Sequence, residues 1–215
     1  MRQKDYWDGV AETKQFTTPF QKDVFCAYVE RGSKIADIGC GYGRTLKELH
    51  ELGYEDLLGF DFSKEMIKRG KAQFPYLDLR VMEEGKIPLE DESVDALILF
   101  AVLTCIARDK DQSALIGEAE RVLKPGGILY INDFLLNEDE RNIARYEKFK
   151  DVFESYGTFE LPEGAVVRHH SEDHIFELLK PFEKKEYERL TFTTMNGNLS
   201  NGFYYIGEKK EVSCS

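Results

Sequence analysis

Short, mostly apolar runs separated by amphipathic stretches repeat along the first two thirds of the chain. The runs are Ile35–Ile38, Leu57–Asp61, Leu77–Met82, Ala96–Phe100 and Ile128–Ile131. Such runs are typical of strands that are buried on both faces of a parallel sheet. Between them, apolar residues recur at helical spacing, as Leu46, Leu49 and Leu52 do. This alternation predicts an α/β fold with a mostly parallel sheet and helices on both faces.

Local signals place the ends of the helices. Gly53 stands where the first of these helices should end, and Ser63 is a candidate N-cap for a helix over Lys64–Gln73. Apolar spacing predicts a further helix over Asp111–Leu123. Lys124-Pro125-Gly126-Gly127 then predicts a turn, with Gly126 at a positive backbone angle.

The last third of the chain is less regular. Asn137 is a candidate N-cap for a polar helix that reaches about Tyr156, and Ser171 for a helix over Glu172–Lys180. Gly157–Arg168 is expected to be extended or looped. Lys184–Thr194 and Gly202–Gly207 are predicted to be two strands around the polar turn Met195–Asn201, followed by a frayed tail over Glu211–Ser215.

Composition narrows the classes of partner. The chain has 215 residues and a net charge of −11, which argues against nucleic acid or an anionic membrane as the main partner. Its four cysteines, Cys26, Cys40, Cys105 and Cys214, form no C-x-x-C pair, so neither a metal site nor a disulfide framework is predicted. No apolar signal core or membrane span is found, and a cytoplasmic location is the default expectation.

The stretch Asp37-Ile38-Gly39-Cys40-Gly41-Tyr42-Gly43-Arg44 joins the first strand to its helix. Alternate glycines let a ligand lie against the backbone. A dinucleotide fingerprint needs a glycine where Arg44 stands, and the Asp37 carboxylate would repel a pyrophosphate but suits a cation. A second acid, Asp61, ends the next strand eighteen residues after Gly43, where an acid can accept the hydroxyls of a ribose.

The pattern D-x-G-x-G-x-G resembles the glycine motif of class I S-adenosylmethionine (SAM)-dependent methyltransferases. Glu83–Asp95 and the sequence Leu123-Lys124-Pro125-Gly126-Gly127 before a strand are similar to further stretches of that family, so the likeness covers about residues 30–135. It implies a Rossmann-like seven-stranded sheet whose last strand is antiparallel. It also implies SAM as cofactor and a small-molecule acceptor, without nucleic acid or membrane as partner.

The resemblance implies a set of cofactor-binding residues. Asp37 and the glycines would hold the methionine end of SAM, Asp61 the ribose, and Phe62 and Glu83 the adenine. The full set is Tyr6, Trp7, Asp37, Gly39, Cys40, Gly41, Gly43, Arg44, Asp61, Phe62, Met66, Glu83, Glu84 and Phe100. Glu83 stands where the family usually has an Asp, and its side chain is one methylene longer.

The resemblance implies that the chain is organised in four segments. Residues 1–31 would form a helical lid, 32–136 the SAM-binding core, 137–170 a cap insertion, and 171–215 a helix and strand pair that complete the core. The loop Ala101–Ile106 lacks the N/D-P-P-Y/F motif that some members use on nucleic acids or amide nitrogens.

The acceptor atom stays open between O, N, S and a metalloid. His169 and His170 are the candidate general bases because imidazole titrates near neutrality; one of the two neighbours is expected to be solvated. Cys105 is a candidate soft ligand for a metalloid. A non-catalytic SAM-binding module and a nucleotide-dependent oxidoreductase remain as alternatives, and oligomeric state is open.

Overall fold

The computed structural model describes residues 3–83, 85–194 and 197–211. The helices are α1 (Gln3–Val10), α2 (Lys22–Tyr28), α3 (Arg44–Glu51), α4 (Lys64–Gln73), α5 (Asp109–Val122), α6 (Glu140–Phe149) and α7 (Glu172–Leu178). The strands are β1 (Ile35–Ile38), β2 (Leu57–Asp61), β3 (Asp78–Val81), β4 (Val94–Phe100), β5 (Leu123–Phe134), β6 (Thr158–Glu160), β7 (Val166–Arg168), β8 (Phe182–Thr193) and β9 (Leu199–Lys209).

Seven strands form one sheet in the order β3-β2-β1-β4-β5-β9-β8. Strand β9 is antiparallel to both of its neighbours, β5 and β8, while the pairs among β1–β5 are parallel. The Rossmann-like fold with its antiparallel last strand is therefore confirmed. Strand β4 lies at the centre, as its continuous apolar run predicts.

Alternate residues of the central strands bury against two separate cores. Leu97 and Leu99 belong to the core that contains Ile116 of α5 and Ile175 of α7. Ala96 and Ile98 face the core that contains Phe25, Leu46 and Ile67 of α2, α3 and α4. Helices thus cover both faces, and the ligand-accessible part of the sheet is the edge where the strands end.

Both predicted ends of the helix that corresponds to α6 are wrong. The N-cap of α6 is Asp139, whose carboxylate accepts a hydrogen bond from the Asn142 backbone N–H at 3.2 Å. Asn137 is held elsewhere, because its side-chain amide donates to Leu135 O at 3.0 Å. The helix also ends at Phe149, well before Tyr156.

Other local predictions are confirmed or refined. Ser63 and Ser171 cap their helices through hydrogen bonds from the N–H groups of Met66 and His174. The stretch 124–127 lies within β5 but loops out of the pairing, which passes from Val94↔Leu123 to Ala96↔Ile128. Residues 157–168 contain the small hairpin β6–β7. Part of the predicted turn and most of the predicted tail lie outside the described residues.

Candidate functional site

A cavity of about 250 Å³ lies over the carboxyl edge of the sheet. Its walls come from the glycine loop, the end of β2, the loop after β4, helices α1 and α6, and the β6–β7 hairpin. Among its lining residues are Tyr6, Trp7, Lys14, Phe16, Gly39, Gly41, Asp61, Phe62, Met66, Val102, Thr104, Cys105, Phe134, Arg141, Arg145, Phe159, Glu163 and His169.

The glycine loop leaves no room for side chains. A Cβ on Gly39 would lie 2.7 Å from Val102 Cγ2, and one on Gly41 would lie 2.7 Å from Phe16 Cε2. Both glycines have positive φ, of +75° and +56°. The loop therefore requires glycine for its conformation and for its close approach to the cavity wall.

Asp37 lies at the base of this loop with a carboxylate oxygen that has no partner. The residue is 1% exposed, and its Oδ1 is buried without a hydrogen bond in the described part of the chain. Burial and the nearby Asp61 carboxylate raise the pKa of Asp37 to about 7. A cationic ligand close to this oxygen would relieve both effects.

Asp61 is buried at the end of β2, and each of its carboxylate oxygens accepts one backbone hydrogen bond. Its Oδ2 accepts from the Gly41 N–H at 2.9 Å and its Oδ1 from the Ser63 N–H at 2.8 Å. Burial raises the pKa of Asp61 to about 6, and these two hydrogen bonds oppose that rise. Phe62 and Met66 continue the same wall of the cavity.

Six described residues of the predicted cofactor set are not part of the cavity lining: Asp37, Cys40, Gly43, Arg44, Glu83 and Phe100. Cys40 is buried beneath the loop, and a Cβ on Gly43 would face the side chains of Leu77 and Leu79 at 3.2 Å. The Arg44 guanidinium lies 5.2 Å from the Phe100 ring centroid. Glu83 is exposed, and Glu84 lies outside the described residues. Their cofactor roles stay predictions.

The N-terminal arm, residues 3–31 of the described chain, folds over the cavity and is hydrogen-bonded to α4. Asp8 Oδ1 accepts hydrogen bonds from Ser63 Oγ at 2.7 Å and from the Glu65 N–H at 3.3 Å. Arg69 donates to the Ala11 and Lys14 carbonyls at 2.8 and 2.7 Å. These bonds place Tyr6, Trp7 and Phe16 against the cavity.

The expectation that one of the two adjacent histidines is solvated is wrong. His169 is 8% exposed and lines the cavity, whereas His170 is 1% exposed and points away, 3.9 Å from Asp133 Oδ1. Burial lowers the pKa of both, that of His169 to about 3 with help from the nearby Arg145 and Arg141. Both imidazoles are therefore neutral near pH 7, and the catalytic role stays a prediction.

Sequence reasoning missed the partners of His169. Tyr146 OH lies 2.7 Å and Asn137 Nδ2 3.2 Å from its Nδ1. It also missed Arg141 and Arg145, which reach the cavity from α6. Their spacing of four residues, which places both on one helix face, is the signal that could have revealed them.

A buried carboxylate fixes the loop after β4. Both oxygens of Asp133 lie 3.2 Å from the Thr104 N–H, and Thr104 Oγ1 donates to Arg168 O at 2.8 Å. Burial raises the pKa of Asp133 to about 7. Thr104 and its neighbour Cys105 are thereby held at the cavity wall.

The described residues contain neither a metal-binding cluster nor a membrane-spanning helix. In these ranges, no group of three or more His, Cys, Asp or Glu side chains is arranged to hold a metal ion. Nor does any helix in the same ranges have the length and apolar character needed to cross a membrane.

Comparison with known proteins places this geometry among methyltransferases. A methyltransferase domain matches residues 36–131. The chain is 31% identical over 143 residues to a ubiquinone/menaquinone biosynthesis C-methyltransferase of Campylobacter jejuni, covering 62% of this chain and 59% of that protein. It is 31% identical over 112 residues to a tRNA N(3)-cytidine methyltransferase of Bos taurus, covering 47% of this chain and 29% of that protein.

The similarity to a solved structure extends over nearly the whole chain. A SAM-dependent methyltransferase from Methanosarcina mazei superposes with a TM-score of 0.84 at 26% identity. The match covers 91% of this chain and 100% of the other. By contrast, the chain spans less than two thirds of the length of the curated relatives it matches.

Proposed function

The chain belongs to the class I SAM-dependent methyltransferases, and from that premise we propose that it transfers a methyl group from SAM to a small-molecule acceptor. The observation that carries the proposal is one continuous cavity. It joins Gly39, Gly41 and Asp61 at one end to Phe159 and His169 at the other, and aromatic side chains of the arm line it as well. A donor at the first end and an acceptor at the second would meet within the same enclosed space.

The residues at the first end fit SAM. The unpartnered Oδ1 of Asp37 is a buried acceptor for a cationic group, which the methionine end of SAM provides. Gly39 and Gly41 lack a Cβ, so the loop presents bare backbone to the cavity for a ligand to lie against. Asp61 keeps lone pairs on both oxygens for ribose hydroxyls. When bound, SAM supplies a methyl group on a sulfonium, which is already a good leaving group.

The chain's own contribution is alignment and exclusion of water. Correct positioning of two reactants is worth roughly 7–11 kcal/mol of an activation barrier. Asp133 fixes the loop that carries Thr104, and Asp8 fixes the arm that carries Trp7. We propose that residues 1–31 act as the lid and residues 137–170 as the acceptor cap over a core of 32–136.

A small acceptor is favoured over nucleic acid. The net charge of −11 opposes a polyanion, and Ala101-Val102-Leu103-Thr104 replaces the N/D-P-P-Y/F motif. Carbon joins O, N and S as a candidate acceptor atom, because one relative is named as a C-methyltransferase. A metalloid is disfavoured, because burial and the Asp133 carboxylate raise the pKa of Cys105 to about 12, so its thiol stays protonated.

Titration of SAM into the purified chain by calorimetry, with NADH as control, tests the cofactor. Labelled SAM incubated with a small-metabolite extract and, separately, with total tRNA tests the acceptor class. We expect micromolar SAM binding, no NADH binding, and label only in the small-molecule fraction. Label in tRNA would overturn the acceptor class. SAM binding without any transfer would favour a non-catalytic SAM-binding module.

A further inference from the structure

The cap end of the cavity carries a group of basic side chains. Arg141 and Arg145 of α6 line it, while Lys14 lines the cavity from the arm, where its Nζ donates to Tyr6 OH at 3.0 Å. The acids on the cavity wall are Glu163, which is exposed on the β6–β7 turn, and Asp61 at the opposite end. In a chain of net charge −11, a local excess of positive charge is not a consequence of composition.

Arg145 forms no ion pair with an acidic residue in the described part of the chain. Its Nη1 lies 3.4 Å from Asn142 Oδ1, and its guanidinium lies 5.3 Å from the Phe159 ring centroid. Across the described ranges, no carboxylate forms an ion pair with it, whereas Arg121 pairs with Glu118 at 2.7 Å. Its neighbour Arg141 has two long contacts, 3.6 Å from Asp139 Oδ1 and 3.5 Å from Leu199 O. Arg145 is therefore free to bind a carboxylate with two donors.

The hydrogen bonds of His169 fix which nitrogen carries its proton. Asn137 Oδ1 accepts from the Asn201 N–H at 2.7 Å, so the group facing His169 Nδ1 is the Asn137 amide donor. Tyr146 OH accepts from the Asn137 N–H at 3.2 Å and so donates to the same Nδ1. Because Nδ1 is an acceptor, the neutral ring has its proton on Nε2, and His169 is a hydrogen-bond donor at that atom.

The walls around these donors are aromatic. Phe134 stacks on His169 with ring centroids 5.7 Å apart, and Phe159 meets the same imidazole edge-on at 5.1 Å. Trp7 lines the cavity from the arm. Flat apolar walls of this kind favour a planar apolar body, and the polar groups at one end fix its orientation.

We propose, resting on the proposed function, that the methyl acceptor is a small aromatic acid. Its carboxylate binds Arg145 and Arg141, with His169 Nε2–H as a further donor, and its ring lies between the aromatic walls. In this assignment Arg145 determines specificity, and His169 orients the acceptor rather than removing its proton.

The single tryptophan gives a direct readout of this cavity. Trp7 is the only tryptophan of the chain and lines the site, so its emission can follow a titration of benzoate or its neutral isostere benzamide. With S-adenosylhomocysteine present, we expect saturable benzoate binding and benzamide binding roughly tenfold weaker. Arg145→Met should weaken benzoate roughly tenfold and leave benzamide and S-adenosylhomocysteine unchanged. Arg145→Lys should recover part of the loss.

Lys148→Met is the matched control, because Lys148 lies exposed on the same helix and outside the cavity lining. It should leave benzoate affinity unchanged. If Lys148→Met and Arg145→Met weakened benzoate binding equally, the effect would come from long-range charge and not from contact with Arg145, and the proposal would be overturned. Equal affinity for benzoate and benzamide, or much tighter binding of phenyl phosphate, would overturn the carboxylate assignment. So would binding of total tRNA that Arg145→Met abolishes. Failure of S-adenosylhomocysteine to bind in calorimetry would instead count against the proposed function.

Discussion

The backbone N–H of Gly41 donates a hydrogen bond to Asp61 Oδ2 at 2.9 Å, which ties the glycine loop to the end of β2. The other oxygen of Asp61 accepts from the Ser63 N–H, at the start of α4. One buried carboxylate thus holds together the two sequence motifs that predicted the cofactor site. Its removal should affect both ligand binding and local structure.

The first prediction concerns Asp61→Ala. Two buried N–H donors would lose their acceptor, so we expect the free energy of unfolding to fall by about 1–3 kcal/mol. SAM affinity should fall sharply as well, as measured by calorimetry. Asp56→Asn removes a charge from an exposed loop position just before β2 and should change neither quantity. An Asp61→Ala protein that binds SAM normally would remove the ribose assignment.

The second prediction compares two glycines with the same φ of +75°, Gly39 and Gly126. A Cβ on Gly126 meets nothing within 4 Å, whereas one on Gly39 lies 2.7 Å from Val102 Cγ2. Gly126→Ala should therefore cost only the backbone strain, about 1–2 kcal/mol. Gly39→Ala should cost about 1–3 kcal/mol more through overpacking. It should also weaken SAM binding, which Gly126→Ala should not.

Denaturant unfolding of the two alanine variants measures the difference. Equal destabilisation of the two variants would mean that the loop shifts enough to place an alanine Cβ at position 39 beside Val102. The close packing of Gly39 against Val102 would then not require glycine. Equal SAM affinities of the two variants would mean that cofactor binding does not depend on glycine at position 39.

The central strands of the sheet were predictable from sequence because they carry nearly continuous apolar runs. β2 and α4 have the predicted bounds, Leu57–Asp61 and Lys64–Gln73, and the apolar residues of β4 place it at the centre. Local chemistry alone fixes such elements: buried strands need apolar side chains on both faces, and Ser63 is a strong N-cap.

The acceptor end was not predictable for a physical reason. Asn137 satisfies the rule for an N-cap, but a long-range bond from the Asn201 N–H and contact with His169 hold it elsewhere. The burial of both histidines likewise depends on α6 and on the strand pairing of the hairpin, which no local pattern encodes. Arg141 and Arg145 look like ordinary surface charges until α6 is placed over the cavity.

The third prediction uses the raised pKa of Asp37. Its folded pKa of about 7 lies above its usual 3.8, so its contribution to stability is fully present below 3.8 and is lost as pH rises through 7. Asp37→Asn should therefore become progressively more stable than the native chain as pH rises from 4 to 7, by about 4 kcal/mol at most, and the difference should be constant above that.

Chemical unfolding of the ligand-free proteins at several pH values between 5 and 8 tests this difference. Asp78→Asn is the control, because its hydrogen bond to Arg80 lowers the pKa of Asp78 and its effect should be flat in this range. A stability difference for Asp37→Asn that did not vary with pH would show that Asp37 has an ordinary pKa in the folded chain.

The fourth prediction concerns the arm. Asp8→Ala removes the acceptor for Ser63 Oγ and the Glu65 N–H, so we expect the arm to detach more often from α4. Trp7 should then become more accessible to a quencher such as acrylamide, with little change in the unfolding midpoint of the core. Glu12→Ala changes an exposed charge on the same arm and should leave quenching unchanged. Unaltered Trp7 quenching in Asp8→Ala would mean that the remaining contacts, including those of Arg69, hold the arm by themselves.

The fifth prediction is the protonation state of His169. With Nδ1 accepting from Tyr146 and Asn137, and with burial lowering its pKa to about 3, the ring should be neutral with its proton on Nε2 throughout pH 5–8. Its folded pKa is depressed, so the stability it contributes is present above its usual 6.5 and is lost as pH falls toward 3. Long-range ¹H–¹⁵N spectra of the imidazoles measure this protonation state directly, with exposed His50 as the comparison signal.

The variant Tyr146→Phe tests the hydrogen bonds of His169. It should lower the free energy of unfolding by about 1–3 kcal/mol, because the Asn137 N–H loses its acceptor, and it should shift the Nδ1 resonance of His169 without protonating that nitrogen. A His169 that titrates near neutrality, or that carries its proton on Nδ1, would restore the general-base assignment and remove its role as a donor.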